Sequence, residues 1–162
     1  MLRKNKVLPM MFSAGLLFTS AVCWKTHRQR KQLEMSECQL ETLQDHYSLL
    51  NHWLEIKNEG KSTASYFEEM GYHHIAIYGM AELGNRLMED LTGSTVCVDY
   101  GIDRDVCCSI GRIDEVYFPE DELPKTEAIV VTPYSAFGAI KKLLETKVDC
   151  PILSLEDVVW SV

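Results

Sequence analysis

No Asp or Glu occurs before Glu34, no two of the six cysteines have C-x-x-C spacing, and none of the seven tyrosines is followed four residues later by lysine. The first gap leaves an amino-terminal segment with charges of one sign only. The second removes zinc-ribbon and dithiol redox chemistry. The third removes the Tyr-x-x-x-Lys pair with which short-chain dehydrogenases and sugar epimerases move a proton, and no Ser-His-Asp order or metal-ligand cluster replaces it. The cysteines are scattered, with Cys97 in a strand expected to be buried, and they read as reduced thiols in a cytosolic compartment. Cys107 and Cys108 lie in a loop near Arg104 and Arg112 and read as loop residues rather than nucleophiles.

Charge is divided unevenly along the 162 residues. Seven of the 16 Lys and Arg precede position 32 and all 24 Asp and Glu follow it, so residues 32–162 carry 9 basic and 24 acidic side chains, a formal net of −15. Such a body repels a phosphate backbone, and nucleic acid is not expected as a partner. A single nucleotide is still compatible, because backbone N–H groups at a helix end act locally. The length suits one ordinary domain preceded by a separate first third, which divides the chain into 1–31, 32–71 and 72–162.

Residues 7–24 carry no charge and lie between Arg3, Lys4 and Lys6 on one side and Lys25, Arg28, Arg30 and Lys31 on the other. As a helix this run spans about 27 Å, close to the hydrocarbon thickness of a bilayer. It reads as a single-pass membrane anchor. A cleaved signal peptide, with Thr19 and Ala21 as small residues near the cleavage point, is the competing reading. The small basic excess after the span, together with the thiols, favours a cytoplasmic carboxy-terminal body.

From Leu33 to Lys57 apolar residues recur at helical, near-heptad spacing. Leu33, Leu40, Tyr47 and Leu54 lie seven apart, with Leu43 and Leu50 in the second row and Ser36 and Lys57 interrupting it. Two readings fit: a short coiled coil forming a homodimer through 33–54, or one amphipathic helix whose stripe, with Trp53, packs on the domain that follows. Ser62 is the expected cap of a short helix through Met70, with Ala64, Tyr66 and Phe67 inward and Gly71 after its end. His73 and His74 then read as surface residues, since neighbours on a strand face opposite ways.

The stretch IAIYGMAELG, 75–84, is an apolar strand running through a glycine turn into helical spacing. Gly79, Ala81 and Gly84 fill the positions of a G-x-G-x-x-G dinucleotide fingerprint, with alanine at the centre. The candidate ligand contacts are therefore Gly79, Met80, Ala81, Glu82, Leu83 and Gly84. A strand from Thr95 to Tyr100 contains Asp99, twenty residues beyond Gly79, where a ribose-binding carboxylate is expected. Tyr100 to Asp105 reads as a polar turn at the carboxyl edge of the sheet, offering Asp103 and Arg104, and Thr132 with Pro133 ends the buried strand AIVVT at the same edge. The other reading of the glycine turn is packing alone.

The remaining elements are a short strand at Val116 and Tyr117, and a helix from Ser135 to about Thr146 with Ala136, Ile140, Leu143 and Leu144 inward. A strand at Pro151 to Leu153 follows, and then a last helical turn capped by Ser154. The pattern predicts an α/β, Rossmann-like parallel sheet of about five strands in the order 3-2-1-4-5, preceded by the membrane helix and a long amphipathic helix.

IAIYGMAELGNRLMEDL, the YGID turn, AIVVTP and CPILSLEDV together resemble a family of small bacterial Rossmann-like domains of surface-polysaccharide biosynthesis, and LLNHWLEIKNEGKSTASYFEEMGY resembles that family's helical lead-in. The glycine turn and the YGID turn are also similar to the nucleotide-sugar-binding domain of sugar acyltransferases. The resemblance implies a nucleotide sugar at the Gly79–Gly84 turn and Asp103. It implies no reaction, because those enzymes act through a separate β-helix domain. NAD(P) with an epimerase-like or dehydrogenase-like activity, and a non-binding scaffold working through the Leu33–Leu54 helix, are the alternatives.

Overall fold

The computed structural model describes residues 7–104, 113 and 115–162, with side chains from residue 27 onward. The chain forms two compact units, Met1–Asp45 and His46–Val162. Helix α1 runs Val7–Asn58 without interruption. Pro9 falls in its first turn, where a missing N–H costs nothing, and the basic stretch 25–32 contains neither glycine nor proline to end it. Side chains of the expected span 7–24 lie outside the described residues, and among the described residues no helix is long and apolar enough to cross a membrane.

In the second unit a five-stranded, all-parallel sheet has the order β3-β2-β1-β4-β5, as expected. Its strands are β1 His74–Tyr78, β2 Cys97–Ile102, β3 Val116–Tyr117, β4 Ala128–Val131 and β5 Ile152–Ser154. The helices are α2 Ala64–Met70, α3 Glu82–Leu91, α4 Phe137–Leu144, entered through a 3-10 turn at Tyr134–Ala136, and α5 Leu155–Trp160.

Strand alternation divides the interior into two layers. Ile75 and Ile77 of β1 with Ala128 and Val130 of β4 join Phe67, Leu83, Leu87, Leu155 and Val158 in one core. Ala76, Tyr78, Ile129 and Val131 join Tyr100, Ile102 and Leu144 in the other. Both faces of the central strands are therefore buried, which is why they read as continuous apolar runs.

Several expectations change. The last turns of α1 enter the first core through Leu49, Trp53 and Ile56, whereas Tyr47 and Leu54 of the heptad stripe stay exposed. Trp53 is buried and Leu50 packs partly against this core, but a helix turning 100° per residue brings the row 49, 53, 56 inward rather than Tyr47 and Leu54. Strand β2 does not end at Tyr100. Gly101 and Ile102 pair with Ile77 and Tyr78, and Gly101 stays in the strand because the Met80 side chain covers it, so a Cβ there would lie 2.9 Å from the Met80 sulfur. Cys97 is exposed at the strand's beginning. Ala136 is exposed because it belongs to the 3-10 turn rather than to α4. Ser154 precedes α5 but its side chain makes no capping bond, and Ser62 accepts a hydrogen bond from the Ala64 amide at 3.2 Å.

One buried carboxylate ties three helices of this unit together. Asp90 of α3 accepts hydrogen bonds from the Trp53 indole at 3.1 Å, the Thr63 amide at 2.8 Å and the Thr63 hydroxyl at 2.8 Å, and its second oxygen lies 2.9 Å from the Lys57 ammonium. Burial pushes this carboxyl up, but Lys57, Thr63 and Trp53 together hold it below its ordinary value. Because the folded value is depressed, the stabilisation is present above the unfolded value of about 3.8 and is lost as pH falls through the folded value. Asp90→Ala should cost about 2 kcal/mol in urea unfolding at pH 7, and the native chain should lose that advantage over the variant as the medium is acidified below pH 3.8.

Candidate functional site

The turn between β1 and α3 is built by close backbone approach. Gly79 has φ +93°, and a Cβ there would meet the Thr132 hydroxyl at 2.6 Å and Pro133 Cδ at 2.7 Å. A Cβ on Gly84 would lie 2.2 Å from the Gly79 carbonyl oxygen. Both glycines of the fingerprint are thus required by packing. Thr132 is buried, and its hydroxyl donates to the Gly79 carbonyl at 2.8 Å, with the Tyr78 carbonyl at 3.2 Å. These bonds join the carboxyl ends of β1 and β4.

The other side of the turn is held by β2. The Met80 amide donates to Asp103 Oδ2 at 2.6 Å, and the Gly79 amide donates to the Ile102 carbonyl at 2.8 Å. Met80 itself is buried, as is Leu83, while Ala81 and Glu82 are exposed. Helix α3 starts at Glu82 with no side-chain capping bond from Ala81, and the positive end of its dipole lies at this turn. Asn85 donates to the Met80 and Ala81 carbonyls at 3.2 and 2.9 Å, and its Oδ1 is buried without a hydrogen-bond partner. Arg104 is exposed directly after Asp103.

Thus the structure brings Gly79, Met80, Ala81, Glu82, Leu83, Gly84, Asp103, Thr132 and Pro133 to one edge of the sheet, at the point where the strand order reverses. Asp99 is elsewhere. It lies three residues before the end of β2, on the order of 10 Å back along the strand. Its Oδ1 is 2.8 Å from His74 Nδ1 and its Oδ2 accepts from the Thr126 hydroxyl at 3.2 Å. The carboxylate that ends β2 is Asp103. Asp103 was expected in the turn at this edge, whereas the count of twenty residues pointed to Asp99 because β2 begins and ends two residues later than its composition suggests.

The His74–Asp99 pair belongs to a polar cluster at the opposite, amino-terminal edge. Glu127 Oε2 there accepts the His73 and His74 amides at 2.6 and 2.9 Å, and these bonds hold its carboxyl below the usual range. Both histidines are exposed, as expected, but the Asp99 hydrogen bond raises the His74 pKa. Nothing in the sequence signalled this pair, since it depends on the irregular register between Ile75 and Ala76. A recess of about 410 Å³ lies near this edge, lined by Leu123, Lys125, Thr126, Lys147 and Cys150 among others.

No family model, curated protein or solved structure matches the chain. Among the described residues no group of three or more His, Cys, Asp or Glu could hold a metal ion. Cys107, Cys108 and Arg112 lie outside the described residues. Chemically, the turn offers backbone donors, one carboxylate and a helix dipole, a set suited to holding a polar molecule.

Two substitutions report on these arrangements. Gly84→Ala forces α3 away from the Gly79 carbonyl and should destabilise the chain by about 2–3 kcal/mol in chemical unfolding. Asp99→Asn should lower the His74 titration midpoint, followed by NMR, toward the ordinary histidine value. A raised histidine stabilises the fold below its unfolded value of 6.5 and stops doing so as pH rises through the folded value, and this dependence should vanish in the variant.

Proposed function

We propose that the chain is a membrane-anchored, Rossmann-like domain that binds a nucleotide or nucleotide sugar, accessory to surface-polysaccharide biosynthesis, with its body in the cytoplasm. The observation that carries this reading is the place of the glycine turn. The uncapped amino end of α3 sits at the carboxyl edge of a central parallel strand, between the outgoing and returning halves of the sheet, and open α/β sheets bind their ligands in that crevice. In this reading a diphosphate lies against the first amides of α3. Asp103 shares its carboxylate between the Met80 amide and a ribose hydroxyl, since a carboxylate has room for several hydrogen bonds.

The anchor reading is supported by the uncharged run 7–24 and the basic residues on both sides of it. The missing Tyr-x-x-x-Lys pair weighs against an epimerase-like or dehydrogenase-like reading, because cofactor binding without a proton relay does not complete that chemistry.

Calorimetry of the full-length chain in detergent against UDP-sugars, with NAD(H) in parallel, tests the proposal. UDP-sugar should bind with a single saturable heat, and Asp103→Ala should weaken it about tenfold or more, the worth of one charge-assisted hydrogen bond. Silence from every nucleotide would sink it.

A further inference from the structure

The amino-terminal unit leaves a helix without support. Every described side chain from His27 to Asp45 is exposed, although helices in proteins draw most of their stability from a packed face. Leu33, Leu40, Leu43, Tyr47 and Leu54 are between 57% and 71% exposed, and of the apolar residues in the heptad rows Leu50 alone is partly buried against the first core.

A 3.5-residue apolar repeat selects a partner of the same period, because only another helix can keep such a seam covered as it turns. With Leu33, Leu40, Tyr47 and Leu54 at the a positions, Ser36, Leu43 and Leu50 fall at d. The flanking positions that face a parallel copy pair Gln32 with Glu37, Gln39 with Gln44 and His46 with Asn51. None of these pairs sets like charges together, and the acidic Glu34, Glu41 and Asp45 point away from the seam. At its carboxyl end the seam reaches an apolar recess of about 150 Å³, lined by Leu50, Trp53, Leu54, Lys57, Arg86 and Glu89, which offers space for a partner side chain.

From this we infer that α1 covers its stripe with a second copy of the same chain, as a parallel, in-register two-stranded coiled coil through 33–54. The parallel direction rests on the anchor reading above, since two chains held at their amino ends by one bilayer present their helices in the same sense. Three heptads are short for a stable pair in dilute solution. Tethering to a common membrane raises the effective concentration enough to compensate.

Sedimentation of the full-length chain in density-matched detergent should give a dimer mass. Leu40→Asp or Leu43→Asp should give the monomer with an unchanged thermal transition, since both residues are exposed and unfolding of the body does not involve them. Orientation is read separately. In a full-length chain with its six native cysteines changed to serine, Ser36→Cys at a d position should form an intermolecular disulfide under mild oxidation. Cys38 restored alone, at the outward f position, should not. A native chain of monomer mass overturns the inference, whether the stripe then serves a different protein or the bilayer surface. A dimer in which Ser36→Cys fails to cross-link overturns the parallel arrangement. Carbonate extraction of membranes decides the anchor independently, and if the chain proves extractable, the same mass measurement made without detergent still decides the pairing.

Discussion

At Gly84 there is room for a hydrogen atom and nothing larger, because the carbonyl oxygen of Gly79 lies where a Cβ would be. This contact sets how closely α3 returns against β1. With α3 held there, Leu83, Leu87 and Leu91 reach the first core and Asp90 reaches the end of α1. The same approach leaves the amino end of the helix at the sheet edge beside Asp103 and Thr132. A methyl group at Gly84 would move all of these together, so the site and the core share one steric constraint.

Asp90 shows how a polar group can organise an interior that apolar packing alone would leave loosely specified. Lys57 and Trp53 come from α1, Thr63 from the start of α2, and the carboxylate from α3. Hydrogen bonds are directional where hydrophobic contact is not, so this group fixes the last turns of α1 against α2 and α3 in one arrangement. The consequence extends along α1. Once Leu49, Trp53 and Ile56 are turned inward, Tyr47 and Leu54 lie on another side of the helix and stay exposed.

Much of the fold could be read before any coordinates. The apolar runs at 75–78 and 128–131 identified the two central strands because both of their faces are buried, and the glycine turn located the one between β1 and α3. Strand β2 was harder. Its amino end is polar and exposed and its carboxyl end contains a glycine, so composition placed the strand two residues early and brought Asp99 to the turn beside Asp103. Ala136 was counted inward by helical spacing, which does not apply in a 3-10 turn. The bonds to Asp90 and the His74–Asp99 pair join residues 25 or more positions apart, and local pattern does not encode such meetings.

The apolar strand runs, the small residues at 79 and 84 and the presence of a heptad row could be read from the sequence alone, because periodicity and residue size are local patterns along the chain. That Asp99 stands away from the turn, and which face of α1 is buried, only the tertiary structure decided. Those outcomes depend on strand register and on how a helix is rotated about its own axis. Both are settled by contacts between residues far apart in sequence, where a shift of one residue reverses which side chain faces in.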